Sequence, residues 1–203
     1  MTIWKRENEF DPLVAQASAK FNVPAHIIKG VIGKESSYNP NAYRDEPHVN
    51  DASRGLMQVL LGTAKMVGYK GDANGLYDPP TGINAGTAVL NYYRNLAARI
   101  PEGWKWEDVL SMYNAGMVKS KKETTAAGKP VYRPKKKTDG TYVNQSYVDY
   151  VKVYAGYFKG DIAEPAVKEY QRTQILKFAA PALGGLLALG FLALLYFRYR
   201  PSL

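Results

Sequence analysis

Apolar residues recur along this chain at three- and four-residue steps, the spacing of one face of an α-helix. In the stretch VPAHIIKGVIGKE, Ile28, Val31, Ile32 and Glu35 share one such face. Pro24 suits the first turn of this helix, and the turn residues SSYNP that follow predict its end at Glu35. An acid therefore occupies the last turn, on the face that we expect to be buried.

The same spacing predicts helices along most of the chain. A first helix is expected over residues 11–20, with Asp11 as its N-cap and Pro12 as its first residue. Four more are predicted in the latter part of RGLMQVLLGTAKMVGY, after the Asp78 and Pro79 pair, in WEDVLSMYNAG, and in QSYVDYVKVYAGYF. No segment shows a strand pattern of weight, so the predicted fold class is mostly α.

A basic insert of low hydrophobicity separates the last two predicted helices. Residues 118–142 contain eight Lys or Arg residues but few aromatic side chains on which a base could stack. The insert is interpreted as a solvated loop or as a surface that binds acidic wall polymers or DNA. Any contact with nucleic acid is expected to be non-specific.

Near the C-terminal end, residues 178–197 run for 20 positions without a charge. A helix of this length spans about 30 Å, the thickness of the hydrocarbon core of a bilayer, whereas buried core helices seldom run so long without polar residues. The prediction is a soluble domain over residues 1–159, a linker over 160–174 and a transmembrane helix with its flanks over 175–200. Basic residues flank both ends of the span, so its orientation is not predicted.

Composition narrows the chemistry further. The 203 residues include no cysteine and two histidines, His26 and His48, which do not match metal-ligand spacing. Disulfides and thiol catalysis are excluded, and neither a metal nor another cofactor is expected. The formal net charge of +9 favours acidic partners, among them cell-wall polymers, anionic lipids and nucleic acid.

Glu35 is the candidate catalytic residue. Burial against apolar neighbours raises the pKa of a carboxyl group, and the negative end of the helix dipole acts in the same direction. A carboxylic acid that stays protonated near neutral pH can give its proton to a leaving oxygen and then act as a base. On this stretch alone, a solvated glutamate at a helix end is the alternative interpretation.

Short motifs follow one another along the chain, the first of them beginning at Glu35. They are ESSYNPNA (35–42), SRGLMQ (53–58), YNAG (113–116) and YVDYV (147–151). With DPPTGINAGTAVLNYY (78–93), this ordered set resembles the transglycosylase domain of the soluble lytic transglycosylase family, which is related to goose-type lysozymes. The resemblance covers about residues 11–158.

The resemblance implies a mostly helical, lysozyme-like fold with a long cleft, and glycan strands of peptidoglycan as the partner. The implied reaction cleaves the β-1,4 bond between N-acetylmuramic acid (MurNAc) and N-acetylglucosamine (GlcNAc), with Glu35 as the single acid and base. In such enzymes the muramoyl 2-acetamido group assists, and the sugar's own 6-hydroxyl closes a 1,6-anhydro ring. A second carboxylate is then not required.

The motifs also supply candidate substrate-binding or supporting residues: Ser53, Gly55, Met57, Gln58, Tyr113, Asn114 and Tyr147. Gly55 would let the backbone approach a sugar, and Gln58 would offer a donor and an acceptor to an acetamido group or to Glu35. Leu56 is expected in the core and Met57 in the cleft wall. Ser53 is matched to the family's product-contacting serine.

Two tyrosines and an asparagine are expected near the acid. Tyr113 and Asn114, at the end of a helix, would orient the acid and the sugar, and Tyr147 would support Glu35 through a hydrogen bond. The alternatives are core packing for the tyrosines and a helix-stop role for Asn114.

The connection YRDEPHVNDASR departs from the family pattern, because many members have a shorter one. It brings Glu46 and Asp51 near the expected cleft, where either could hold a water and favour hydrolysis. A solvated surface loop is the alternative interpretation.

The first ten residues, MTIWKRENEF, lack the apolar segment of a signal peptide. With the terminal span, this suggests an enzyme carried in the internal membrane of a virion, which would open the wall locally for phage genome delivery. The bacterial inner membrane is the alternative location, and other membrane or capsid proteins are candidate partners. A non-catalytic, glycan-binding membrane component is the rival class.

Overall fold

The structure is a computed structural model that describes residues 4–159, apart from the side chains of Lys121, Lys122 and Lys159. The helices in this range are α1 (Asp11–Phe21), α2 (Ala25–Ser36), α3 (Leu61–Met66), α4 (Pro79–Ala97), α5 (Trp106–Ala115) and α6 (Gln145–Lys159). The strands are β1 (Tyr43–Glu46), β2 (Asp51–Arg54), β3 (Val59–Leu60), β4 (Met117–Thr124) and β5 (Pro130–Pro134). Short 3₁₀ turns lie at Pro47–Val49 and Asn74–Tyr77.

The six helices predicted within residues 4–159 all form, and the predicted mostly helical fold is confirmed. Helix α2 runs one residue past its predicted end, to Ser36. Helix α4 begins after Asp78, whose carboxylate accepts a hydrogen bond from the Thr81 backbone N–H at 3.2 Å. This side-chain cap satisfies a backbone donor that the first turn of a helix would otherwise leave unpaired.

The predicted N-cap of α1 is wrong. Phe10 occupies the cap position, and Asp11 is the first helical residue. The Asp11 carboxylate instead accepts a hydrogen bond from Lys29 Nζ at 2.6 Å. Because Lys29 belongs to α2, this ion pair links the first two helices rather than capping the first.

The sequence predicted no strands, and this prediction is also wrong. The connection between α2 and the GLMQ segment folds into a three-stranded antiparallel sheet in the order β1-β2-β3, in which Arg44 lies opposite Ser53. Strand β1 is mostly exposed, so its sequence carries little of the apolar alternation that reveals a half-buried strand.

The basic insert likewise forms a hairpin of β4 and β5 rather than a solvated loop. Val131 on β5 is fully buried. Arg133, also on β5, pairs with Glu102 at 2.9 Å and with Glu123. Part of the insert's positive charge is therefore used within the fold.

The core is centred on α2, which packs against α6. A Cβ on Gly30 would lie 2.9 Å from the Val151 carbonyl oxygen, so the two backbones approach more closely than a larger residue would allow. The predicted buried face of α2 is confirmed, because Ile28, Val31 and Ile32 are fully buried. Lys29 of α2 lies over the ring of Phe158 near the end of α6, whereas Glu35 contacts Tyr147 near its start, so the two helices run antiparallel.

The predicted linker (160–174) and membrane span (178–197) lie outside the described residues. Within residues 4–159, no helix combines the length and apolar character needed to cross a bilayer.

Candidate active site

Glu35 lies in the last turn of α2, one residue before the helix ends. Ser37 closes the helix in the left-handed conformation (φ 51°), and its N–H donates to the Gly33 carbonyl. The Ser36 hydroxyl donates to Ile32 O at 3.1 Å and to Leu56 O at 2.8 Å, the latter in the GLMQ segment. The helix end that carries the acid is thereby tied to the next motif along the chain.

Tyr147, at the start of α6, supports this acid directly. Its hydroxyl donates to Glu35 Oε1 at 2.7 Å across 112 positions of sequence, which confirms the predicted hydrogen bond. Burial, followed by the nearby Glu35 charge, raises the pKa of Tyr147 well above its ordinary value. The tyrosine therefore stays protonated and acts as a donor, leaving Oε2 of Glu35 to hold a transferable proton.

Burial raises the pKa of Glu35 from its ordinary value of 4.5 to about 7. The Tyr147 hydrogen bond and then the positive charges of Arg44 and Lys34 oppose this rise, while the charge of Glu46 adds slightly to it. Burial outweighs the three opposing effects because a carboxylate loses most of its hydration when it is taken out of water. Near neutral pH, a substantial fraction of Glu35 thus carries a proton.

An open cavity of about 230 Å³ lies beside the acid. It brings together residues from α2, β1, α5 and α6, namely Lys34, Glu35, Arg44, Asn114, Ser146 and Tyr147. Pockets for whole drug-sized ligands usually measure ~300–1,000 Å³. The cavity therefore suits one unit of a longer ligand.

Asn114 lines this cavity as expected, at the end of α5. Its side-chain oxygen accepts a hydrogen bond from Asn144 Nδ2 at 3.0 Å, and Asn144 in turn accepts one from Ser111 Oγ at 2.8 Å. These contacts fix the orientation of the Asn114 amide before any ligand is bound.

Tyr113 has a different task from the one predicted. Its hydroxyl donates to the Met57 carbonyl at 2.8 Å and so anchors the GLMQ segment beneath the site. Burial, followed by the Glu35 charge, raises the pKa of Tyr113 well above its ordinary value. Tyr113 therefore lies within electrostatic reach of Glu35, but its hydroxyl hydrogen is already donated to the Met57 carbonyl.

Three residues of the second motif do not line the cavity. Met57 is 0% exposed, and its sulfur accepts a hydrogen bond from the Thr87 hydroxyl, so it belongs to the core rather than to a cleft wall. Ser53 is 3% exposed and donates to Glu46 Oε1 at 3.2 Å, so it is unavailable to a product. Gln58 donates both amide hydrogens to backbone carbonyls at 3.0 Å, which leaves it no donor for Glu35 or an acetamido group.

Gly55 is required by the fold and not by a sugar. It has φ +71°, and a Cβ at this position would lie 2.2 Å from the Leu76 carbonyl oxygen. Leu56 is buried in the core, as predicted. The close packing of this segment thus depends on a glycine at position 55.

The two carboxylates of the longer connection do not line the cavity. Asp51 is occupied by Arg54 at 2.9 Å and by the Gly62 N–H at 3.0 Å. Glu46 accepts hydrogen bonds from Arg44 and Ser53. The expectation that either would hold a water beside the acid is therefore not supported by their positions.

Sequence reasoning missed Lys34, Arg44 and Ser146, which line the cavity. Lys34 is adjacent to the acid but belongs to the exposed part of the helix surface, where a lysine carries no signal. Arg44 and Glu46 stand two residues apart, and recognising the segment as a strand would have placed them on one face. Among the described residues, no three His, Asp or Glu side chains come together as a metal site would require.

Comparisons with known proteins identify a family and a shared fold. The family described as Transglycosylase SLT domain matches residues 12–134. The 70 kDa soluble lytic transglycosylase of Escherichia coli shares the fold, with a TM-score of 0.51 at 19% identity over 81% of this chain and 27% of that chain. A 70 kDa soluble lytic transglycosylase in complex with bulgecin A gives a TM-score of 0.53 at 17% identity, over 79% of this chain and 25% of that chain.

The fold is mostly helical and of the lytic transglycosylase type, and it carries a glutamate with a raised pKa in the last turn of α2. The chain belongs to the Transglycosylase SLT domain family.

Several relatives in sequence carry the name membrane-bound lytic murein transglycosylase C. The protein from Photorhabdus laumondii is 37% identical over 98 residues, which are 45% of this chain and 26% of that protein. The protein from Yersinia enterocolitica is 39% identical over the same shares. The protein from Pectobacterium atrosepticum is 34% identical over 55% of this chain and 32% of its own length. This chain thus spans about a quarter to a third of these relatives.

Proposed function

We propose that this chain is a lytic transglycosylase that cleaves the MurNAc-β-1,4-GlcNAc bond of peptidoglycan and forms a 1,6-anhydro-MurNAc end. The observation that carries the proposal is Glu35, a carboxyl group with a pKa of about 7 that lines a cavity and is hydrogen-bonded by Tyr147. The relatives' names, lytic murein transglycosylase, support the same substrate.

In the first step, Glu35 gives its proton to the glycosidic oxygen as the bond to the anomeric carbon breaks. A pKa near 7 matches this task, since the proton is present at neutral pH yet can be transferred. The 2-acetamido oxygen of the MurNAc unit attacks the anomeric carbon and takes the place of a protein nucleophile. The Tyr147 hydroxyl stabilises the carboxylate that remains on Glu35.

In the second step, the Glu35 carboxylate takes the proton of the 6-hydroxyl of the same sugar. This proton transfer restores the protonated acid. The 6-oxygen bonds to the anomeric carbon as the acetamido oxygen leaves it. Among the described residues that line the cavity, Glu35 is the only carboxylate. A retaining hydrolase would need a second carboxyl group about 5–5.5 Å away, so the single acid favours substrate assistance.

Membrane anchoring through residues 178–197 is part of the proposal and depends on the length and apolar character of that run. Location in a virion membrane, for wall opening during phage genome delivery, is a further hypothesis. Detection of the protein in purified particles would support it, whereas detection only in the membranes of uninfected bacteria would refute it.

The catalytic proposal is tested by incubating the full chain and its Glu35→Gln variant with purified peptidoglycan and analysing the products by mass spectrometry. Anhydro-muropeptides from wild type, absent with the variant, are the expected result. The control is Glu102→Gln, which replaces an exposed glutamate paired with Arg133 and should leave the products unchanged. Reducing-end products would indicate a hydrolase, and no turnover at any pH would indicate a glycan-binding component.

A further inference from the structure

Two cationic side chains lie beside Glu35. Lys34 and Arg44 line the cavity, and the other described lining residues besides Glu35 are Asn114, Ser146 and Tyr147. Glu35 itself is partly neutral at pH 7, because burial raises its pKa to about 7. A glycan built only of neutral sugars has no group that would use two cations at this position.

Arg44 is held in a defined orientation by the β1–β2 pair. Its Nε donates to Glu46 Oε1 at 2.6 Å, and its Nη2 lies 2.6 Å from the same oxygen. Glu46 is itself well covered, with 15% of its side chain exposed, and it also accepts the Ser53 hydroxyl. The Glu46 carboxylate therefore fixes the orientation of the Arg44 guanidinium through Nε and Nη2. The edge of the guanidinium that carries Nη1 remains for a ligand.

The remaining edge of Arg44 is accessible. The Arg44 side chain is 61% exposed, and the described residues supply no hydrogen-bond acceptor for Nη1. Lys34 is also positioned, with Nζ 4.6 Å above the centre of the Tyr150 ring. Two cations that are oriented in advance lose less freedom on binding an anion than two mobile surface side chains would.

We propose that Arg44 and Lys34 bind a carboxylate carried by the MurNAc side of the substrate, and so select acidic glycans over neutral ones. This inference rests on the proposed function and names the substrate group that the same site recognises. Two sources of such a carboxylate exist in peptidoglycan. One is the lactyl group of a peptide-free MurNAc unit, and the other is the peptide attached to that group.

The experiment measures equilibrium binding to the full chain in the Glu35→Gln background, which prevents turnover. The probes are a neutral β-1,4-GlcNAc tetramer, peptide-free strands with lactyl carboxylates, and peptide-bearing strands whose lactyl group is in amide linkage. At low salt, at least one acidic probe should bind about fivefold more tightly than the neutral one, as expected for a partly exposed charge-assisted contact. Whichever acidic probe is favoured identifies the source of the carboxylate.

Arg44→Gln should reduce the preference for the acidic probe over the neutral tetramer severalfold. Lys34→Gln should reduce the same preference independently. The matched control is Arg6→Gln, because Arg6 is also an exposed arginine paired with one glutamate, Glu9, but does not line the cavity. The preference should also fall in 1 M salt, where the screening length is about 3 Å.

Equal affinity for all three probes, or an acidic preference that survives both cavity variants, would overturn this inference while leaving the catalytic proposal intact. Absence of binding to every probe, together with absence of turnover by wild type, would instead refute the proposed function and this inference with it. Circular dichroism of each variant shows whether it has retained the fold.

Discussion

Replacing Glu35 by glutamine should stabilise the protein at alkaline pH relative to wild type. Glutamine keeps the size of the side chain and an oxygen that can accept the Tyr147 hydroxyl, but it cannot ionise. In wild type, raising the pH forces a buried carboxyl group to give up its proton in a place that disfavours charge. The variant avoids this cost, so the stability difference between the two proteins should depend on pH.

The magnitude follows from the pKa of Glu35, which burial raises from 4.5 to about 7. Each pKa unit corresponds to about 1.4 kcal/mol, so the full effect is about 3 kcal/mol. Between these two values the folded protein holds a proton that the unfolded chain has lost, and stability therefore falls as pH rises. The contribution of Glu35 is fully present below pH 4.5 and is lost once the pH passes about 7.

The assay is unfolding of the full chain, followed by circular dichroism at several pH values from 5 to 9 in one mild detergent. The melting temperature of the variant relative to wild type should rise by up to about 10 °C across this window, since a domain of this size shifts by about 2–4 °C per kcal/mol. Glu102→Gln is the control, because a hydrogen bond from Arg133 lowers the pKa of Glu102 and its effect should be constant above pH 5. A constant difference for Glu35→Gln as well would show a solvated acid and refute the proton-donor argument.

Two further variants test the supporting structure. Tyr147→Phe removes the hydrogen bond that lowers the pKa of Glu35. The alkaline limb of the pH–rate profile should therefore move to higher pH, and the maximal rate should fall. An alkaline limb at the same pH as in wild type would contradict a role for this hydrogen bond. Gly55→Ala places a Cβ 2.2 Å from the Leu76 carbonyl oxygen and should destabilise the fold by at least about 2 kcal/mol in urea melts. Gly68 also has a positive φ, +97°, but a Cβ there would meet nothing within 4 Å, so equal losses in Gly68→Ala and Gly55→Ala would show that the close approach is unimportant.

The predictions that succeeded depend on local signals. The three- and four-residue spacing located α2 and its buried face, and the Asp78 and Pro79 pair located the start of α4. Hydrophobic spacing works for these helices because each buries one continuous face against the core. The pairing of Tyr147 with Glu35 was predicted only through the resemblance of the motifs, since no local rule connects residues this far apart.

The predictions that failed concern groups whose partners are distant or are backbone atoms. Met57 and Gln58 have side chains that suit a cleft. Met57 instead packs against α4, and the Gln58 amide donates its hydrogens to the backbone carbonyls of Ala42 and Gly55. The strand β1 was missed because its residues are exposed and polar. A strand held by its backbone ladder leaves almost no pattern in its side chains.

By itself, the sequence determined the helical class, because each helix shows its own apolar spacing. It also placed the acid at the end of α2 among apolar residues that raise its pKa, because these lie within a few turns of one helix. Only the tertiary structure decided what faces that acid. The hairpin of β1 and β2 carries Arg44 into the cavity, and α6 delivers the Tyr147 hydroxyl. Side chains from separate elements become neighbours only when those elements pack, so the charge of the site is a property of the fold.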